Sequence, residues 1–95
     1  AESCDPYQAC VLLSAEGRRV PLCSCAGRDC PNTDSHKIQS MYFCEDVSVV
    51  YACPDTDRVA IQIINGVGNI DFKLFCRCHT YEAHRSYFSC AELIG

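Results

Sequence analysis

Positive charge is scarce in this sequence of 95 residues, where eight lysines and arginines stand against twelve aspartates and glutamates for a net charge of −4. The basic residues are scattered, and only Arg18 and Arg19 are adjacent. Because nucleic acids and anionic lipids attract basic surfaces, we expect neither as a partner. Long apolar runs are also lacking. A stretch such as Val59-Ala-Ile61 is far too short to span a bilayer, so we expect no membrane insertion.

Catalytic motifs are missing too, since the sequence has no Gly-x-Ser-x-Gly element and no glycine-rich phosphate loop. His36, His79 and His84 lie beside predicted turns or on outward faces, where a surface histidine without a catalytic role is the ordinary case. Asp55-Thr-Asp57 has the composition of a β-turn, whereas a calcium site needs about six to eight oxygen ligands. The sequence therefore predicts a protein that is not an enzyme and holds no cofactor or metal.

Cysteine, by contrast, is abundant and even in number, with ten residues. This density in a short chain is typical of a disulfide scaffold, which forms in oxidising compartments. The alternative is zinc binding, but zinc sites favour a wider spacing than Cys-x-Cys. We expect a secreted, extracellular protein whose signal peptide was removed before Ala1. The cysteines expected to form disulfides are Cys4, Cys10, Cys23, Cys25, Cys30, Cys44, Cys53, Cys76, Cys78 and Cys90.

The spacing of the cysteines leaves their pairing open, since ten of them allow about 945 arrangements. Two cysteines at positions i and i+2 of an extended segment point to the same side. Cys23 and Cys25, and likewise Cys76 and Cys78, can therefore bridge to two different neighbouring segments.

Short β-rich segments separated by turn residues predict a small disulfide-rich all-β domain of antiparallel strands and hairpins, with little or no helix. At this length we expect a single domain over residues 1–95. The predicted strands are Gln8–Leu13, Arg19–Ser24, Lys37–Phe43, Val47–Ala52, Arg58–Ile64, Ile70–Cys78 and Arg85–Cys90.

The clearest local prediction is a hairpin over residues 58–78. Successive side chains of a strand point to opposite faces of the sheet. The apolar residues of the first segment have odd numbers and those of the second have even numbers, so pairing them on one face requires a loop with an even number of residues. Gly66–Asn69 as a four-residue loop satisfies this, as does Gly66-Val67 as a tight turn. The side chains expected to be buried are Val59, Ile61, Ile63, Phe72 and Leu74. The side chains expected to be more exposed are Gln62, Lys73 and Arg77.

Loops are the expected binding surface, because cysteines and apolar residues occupy most inward positions. The loop between Cys25 and Cys30 resembles the stapled loops of protease inhibitors, although a solvated turn is the alternative. Tyr42 and Tyr87 provide another possible anchor for a partner, with cross-strand packing as the alternative. The candidate binding residues are Arg28, Asp29, Val67, Arg18 and Arg19.

Several motifs combine cysteine spacing with neighbouring aromatic residues. They are Cys23-Ser-Cys25, Cys30-Pro31, Tyr42-Phe-Cys44-Glu, Cys53 and Phe75-Cys-Arg-Cys78. This pattern, which runs from about Cys10 to Cys78, resembles cysteine-rich secreted proteins of arthropod venoms, including scoloptoxin-like chains of centipedes. The resemblance implies a toxin or salivary effector, with no catalytic residues to carry over.

The sequence therefore favours a secreted binding protein, foremost a venom toxin that acts on an ion channel or receptor. Two alternatives stay open. One is a protease inhibitor or salivary host-defence modulator that uses a stapled loop, and the other is an extracellular signalling ligand. The expected partner is an extracellular protein (a channel, receptor or protease), and we expect a monomer rather than a dimer.

Overall fold

The computed structural model describes residues 3–66 and 69–94. The chain divides into two compact units, Ala1–Ser48 and Val49–Gly95. Each unit is built on one four-stranded sheet, and all strand pairs in both sheets are antiparallel. The prediction of a small disulfide-rich all-β fold is confirmed.

The first sheet has the strand order β2-β1-β4-β3. Its strands are β1 (Ala9–Leu13), β2 (Arg19–Pro21), β3 (Lys37–Ile38) and β4 (Met41–Phe43). Ile38 pairs with Met41, so the chain reverses at Gln39, whose φ of 54° is in the left-handed region. The prediction of one continuous strand over Lys37–Phe43 is therefore wrong, because this backbone conformation makes a tight hairpin turn.

Sulfur fills much of the core of the first unit. Cys10, Cys23, Cys25 and Cys44 are buried there beside Val11 and Tyr42. Apolar side chains such as Met41 and Phe43 are also buried in this unit. Cross-linking of the unfolded chain by three disulfides adds to the stability that this packing provides.

Helical structure in the described residues amounts to two three-residue 3-10 helices, Asp34–His36 and Val47–Val49. The second replaces the strand predicted over Val47–Ala52. A carboxylate oxygen of Asp46 accepts hydrogen bonds from both the backbone N–H and the hydroxyl of Ser48, and this local pairing favours a helical turn over an extended strand. None of the helices in the described ranges is long and apolar enough to cross a membrane.

The second sheet has the strand order β6-β5-β8-β7. Its strands are β5 (Val59–Gly66), β6 (Asn69–Leu74), β7 (Thr80–Ala83) and β8 (Tyr87–Glu92). Strand β7 was not expected, because Thr80–Ala83 is polar and mostly exposed and shows no apolar alternation. It lies at the edge of the sheet and pairs only with β8 among the described strands.

The hairpin of β5 and β6 has the predicted parity. Ile61 pairs with Leu74 and Ile63 with Phe72, which is the register of the Gly66–Asn69 loop. The ladder continues by one further pair, Gly66 with Asn69. This register excludes the alternative Gly66-Val67 turn, which would set Ile63 opposite Ile70.

One face assignment in this hairpin is wrong. Val59 is 37 % exposed, although the alternation placed it with buried Ile61. Between these two residues the pairing with β8 shifts by one, so that Val59–Ile61 spans only Phe88 and Ser89. Such a β-bulge interrupts the alternation of faces, and Ala60 is buried with Ile61 as a result.

The other burial predictions in the hairpin are largely confirmed. Ile61, Phe72 and Leu74 are buried, and Ile63 is half-buried. Gln62 is exposed, as predicted. The remaining two outward residues, Lys73 and Arg77, are half-buried.

All ten cysteines are paired, which confirms the disulfide scaffold. Both Cys-x-Cys motifs bridge to two different segments, as expected from their spacing. The five bridges are Cys4–Cys23, Cys10–Cys30, Cys25–Cys44, Cys53–Cys76 and Cys78–Cys90. Each joins cysteines of the same unit. A single domain over residues 1–95 remains a prediction, and one cooperative unfolding transition would support it.

Candidate functional site

An open groove of about 460 Å³ lies on the second unit. Three aromatic side chains line it, of which Tyr51 is 65 % exposed, Phe75 is 40 % exposed and Tyr87 is half-buried. The other lining residues are Arg58, Val59, Gln62 and Ser86. Clustered apolar surface that stays in water marks an interaction site more often than chance. This groove, termed the aromatic groove below, is the candidate functional site.

The backbone around Tyr51 is held in place by the segment that follows β6. The Arg77 N–H donates to the Tyr51 carbonyl at 2.9 Å, and the Cys53 N–H donates to the Arg77 carbonyl at 2.9 Å. The Arg77 side chain also donates from Nε to the Val50 carbonyl. These bonds form a parallel β-bridge between Ala52 and Arg77, so the segment that carries Tyr51 has a defined backbone position.

A disulfide anchors two of the three aromatic residues. Phe75 directly precedes Cys76 and Tyr51 comes two residues before Cys53, and these cysteines are bonded to each other. A binding surface built on cross-linked backbone loses little conformational entropy when a partner binds. The groove is therefore preorganised on the Cys53–Cys76 side.

Tyr87 is positioned by the sheet itself. Gln62 lies opposite Lys73 on β6 and opposite Tyr87 on β8, so the three residues form one row across β6, β5 and β8. His84 extends this row, because its ring stacks on the ring of Tyr87 with centroids 4.5 Å apart and planes 12° apart. The stacking favours this orientation of the Tyr87 ring in the groove.

Two cationic side chains, those of Arg58 and Lys73, lie at or beside the aromatic groove. Arg58 is the only charged residue among the described lining residues. Its guanidinium lies 3.6 Å from a carboxylate oxygen of Asp55, and both side chains are more than half exposed. Lys73 Nζ lies 6.0 Å from the centroid of the Phe75 ring, at the outer limit of a cation–π contact. The groove thus combines aromatic lining residues with positive charge at and beside it.

A smaller groove of about 300 Å³ contains a histidine–serine pair. His84 Nε2 lies 2.7 Å from Ser89 Oγ, a distance that a nucleophilic serine and its base also require. Ser89, however, is only 5 % exposed. A substrate carbonyl needs access to the hydroxyl, so this hydrogen bond is better explained as satisfying a buried polar group beside the Tyr87 stack.

The predicted site residue Arg28 lies in an exposed loop of the first unit. Its guanidinium donates to the Cys44 carbonyl at 2.8 Å and to a carboxylate oxygen of Glu45 at 2.8 Å. Gly27, with a φ of +69°, provides the left-handed backbone conformation that this loop requires. Asp29 is exposed beside it. The side chain of Arg28 thus ties the loop to the end of β4.

The other predicted site residues lie elsewhere. Arg18 is exposed in the turn between β1 and β2. Arg19 lies over the ring of Tyr42, 5.1 Å from its centroid, and Lys37 lies 5.8 Å from the same centroid. Val67 falls outside the described residues. Among the described candidates, Arg18, Arg19, Arg28 and Asp29 all belong to the first unit, and none lines the aromatic groove.

The sequence pattern indicated Tyr87 as a possible anchor for a partner, but neither Tyr51 nor Phe75. Their only sequence signal is an aromatic residue within two positions of a cysteine, at Tyr51 and Cys53 and at Phe75 and Cys76. That signal becomes informative only once Cys53 and Cys76 are known to be paired, which the spacing leaves open.

Comparison with known proteins identifies a relative. Turripeptide OL71 of the mollusc Iotyrris olangoensis is 44 % identical to this chain over 95 aligned positions, covering 93 % of this chain and 95 % of the relative. No family profile and no solved structure match the chain. The expectation of a cysteine-rich venom peptide is confirmed. The arthropod, scoloptoxin-like affiliation is not supported, because the relative comes from a mollusc and cysteine spacing alone is shared by many stapled folds. This chain belongs to the turripeptides, a family of secreted, cysteine-rich venom toxins.

Proposed function

We propose that this venom toxin acts as a monomer by binding the extracellular part of an ion channel or receptor, with the aromatic groove as its contact surface. The observation that carries the proposal is the exposure of Tyr51 and Phe75 beside a disulfide that fixes their backbone. Tyrosine and other aromatic side chains contribute most of the binding energy at many protein interfaces. Exposed aromatic surface on a rigid frame therefore supports recognition of another protein.

The proposal includes the absence of catalysis. The serine with a hydrogen-bonded histidine, Ser89, is buried, and all ten cysteines are consumed in bridges. A nucleophile must reach its substrate, and a disulfide sulfur is no longer a thiolate. Binding is the function that these side chains support.

Protease inhibition is less well supported. An inhibitor of a trypsin-like enzyme inserts an extended basic side chain into the specificity pocket of the protease. Arg28 would first have to leave both the Cys44 carbonyl and Glu45. The stapled loop around Gly27 and Arg28 nevertheless remains the place where an inhibitory contact would be tested.

The test exposes excitable cells to the folded protein, to a Tyr51→Ala variant and to a Tyr7→Ala variant, and records ionic currents and receptor responses. Tyr7→Ala is the matched control, because it removes an exposed tyrosine that does not line the aromatic groove. We expect the parent and the control to act at the same concentration, and Tyr51→Ala to need about tenfold more. Intact mass and a far-UV spectrum verify that each variant is folded.

Two outcomes of this experiment contradict the proposal. If the parent leaves all currents and responses unchanged, and a parallel assay shows that it inhibits a trypsin-like protease, the inhibitor hypothesis is supported instead. If Tyr51→Ala and Tyr7→Ala are equally potent, the protein is a toxin that uses another surface, and the loop residues Arg28 and Asp29 become the better candidates.

A further inference from the structure

The charged side chains at and beside the aromatic groove are positive, whereas the net charge of the chain is negative. This difference bears on which partner the groove can bind. The chain carries a net charge of −4, yet Arg58 lines the groove and Lys73 lies beside it. Among the described lining residues there is no carboxylate. Asp55 offsets Arg58 only in part, since their 3.6 Å ion pair is more than half exposed and is weakened by solvent.

The position of Lys73 links the charge to the aromatic surface. Its ammonium lies over the Phe75 ring, and its backbone neighbour across the sheet is Gln62, which lines the groove. A ligand carboxylate that approaches Phe75 therefore meets Lys73 at the same time. Arg58 offers a second contact, because a ligand carboxylate can replace Asp55 as its partner without burying either charge.

We infer that the occupant of the aromatic groove is a segment of an extracellular protein in which apolar or aromatic side chains are flanked by carboxylates; this inference rests on the function proposed above. The apolar side chains pack against Tyr51, Phe75 and Tyr87, and the carboxylates pair with Lys73 and Arg58. Complementary charges of this kind contribute mainly to specificity and to the rate of association.

An anionic membrane surface is the other partner that combines apolar and negative groups, and the structure favours it less. The groove is an open depression that fits a protruding peptide segment, whereas residues that enter a bilayer must project from a convex surface. The net charge of −4 also opposes approach to anionic lipid.

The test titrates the full, disulfide-bonded chain with two synthetic peptides and measures affinity by calorimetry or by chemical-shift changes. One peptide carries phenylalanines flanked by glutamates, and in its twin lysines replace the glutamates. We expect the acidic peptide to bind at least about threefold more tightly at low salt, with a smaller difference at high salt.

Matched lysine variants locate the effect. Lys73 and Lys37 each lie close to 6 Å from an aromatic ring centroid, over Phe75 and Tyr42 respectively, but only Lys73 adjoins the groove. Lys73→Gln should remove most of the preference for the acidic peptide, and Lys37→Gln should preserve it. An equal loss in both variants would show that only overall charge matters and would overturn the inference.

Vesicles of phosphatidylcholine, with and without phosphatidylserine, form the last arm. We expect no binding to either. If the protein binds vesicles that contain phosphatidylserine, and Phe75→Ala abolishes this binding, the occupant of the aromatic groove is a lipid surface and not a protein segment. Equal affinity for the two peptides likewise overturns the inference. The proposed function would still be supported in that case if Tyr51→Ala weakens the action on cells. Selective peptide binding without any action on cells would support the inference and overturn the proposed function.

Discussion

Ala60 and Ile61 follow each other in β5, and both side chains are completely buried. Neighbouring residues of a regular strand face opposite sides of the sheet. Here the Ala60 carbonyl accepts hydrogen bonds from the N–H groups of both Phe75 and Cys76, at 2.7 and 3.4 Å. One residue of β5 thus faces two residues of the partner segment at this point. In the pairing of β5 with β8, Val59–Ile61 spans only Phe88 and Ser89, and this bulge brings Ala60 into the interior and leaves Val59 at the wall of the aromatic groove.

Two substitutions in β5 test this arrangement. Ile61→Ala should lower the free energy of unfolding by about 2–5 kcal/mol, because it leaves a cavity in a fully buried site. Val59→Ala should lower it by less than about 1 kcal/mol, because the side chain is partly exposed already. Denaturant unfolding with the disulfides intact provides both values. Similar losses for the two variants would show that the alternation of faces is regular and the bulge is misplaced.

The connectivity in the second unit can be checked by proteolysis, because Arg77 separates Cys76 from Cys78. Trypsin acting on the denatured but unreduced chain cleaves after Arg77 and Arg85. With the Cys78–Cys90 bridge it should release one fragment of two chains, residues 78–85 bonded to residues 86–95. Mass spectrometry before and after reduction identifies this fragment. If Cys78 were instead bonded to Cys53, residues 78–85 would appear attached to residues 38–58.

Tyr81 should make stability depend on pH in the alkaline range. Burial raises the pKa of Tyr81, and the opposing effects of the hydrogen bond from the Cys78 N–H to its hydroxyl and of the charge of Arg77 are smaller. Above the ordinary tyrosine pKa the unfolded chain loses this proton while the folded chain keeps it. The contribution of Tyr81 to the free energy of unfolding is therefore complete below a pH of about 10, and it declines as the pH rises through the folded-state pKa.

The measurement for Tyr81 compares denaturant midpoints at neutral and alkaline pH for the parent and for Tyr81→Phe. The parent should lose more stability on the alkaline side than the variant, which has no phenol proton at this position. A parallel decline in both would mean that the other tyrosines or disulfide exchange produce the pH dependence.

Arg28 tests the loop that the sequence favoured. Arg28→Ala removes the hydrogen bond to the Cys44 carbonyl and the half-exposed ion pair with Glu45, so the free energy of unfolding should fall by about 1 kcal/mol. Activity on cells should stay within about twofold of the parent if the aromatic groove is the contact surface. A loss of activity that exceeds the effect of Tyr51→Ala, in a folded variant, would instead support the loop. Glu45→Gln is the matched control for stability, because it weakens the same ion pair and leaves Arg28 in place.

Cysteine content and β-rich segments separated by turn residues were sufficient to predict a secreted disulfide scaffold with an all-β fold. The parity of one hairpin narrowed its register to two possibilities, and the observed pairing of Ile61 with Leu74 is one of them. Those properties depend on composition and on local periodicity, which are readable along the chain. The turn at Gln39 and the short helix after Asp46 were missed, because each depends on a backbone conformation or side-chain hydrogen bond that an apolar pattern does not encode.

The aromatic groove was decided by the tertiary structure. Tyr51 and Phe75 are 24 positions apart, and the pairing of Cys53 with Cys76 joins the two segments that carry them. Neither residue differs in sequence from an ordinary core aromatic, and exposure is a property of what packs around a side chain. The sequence determined which side chains were available. Disulfide pairing and the bulge at Ala60 determined which of them remained at the surface, because both act between segments distant along the chain.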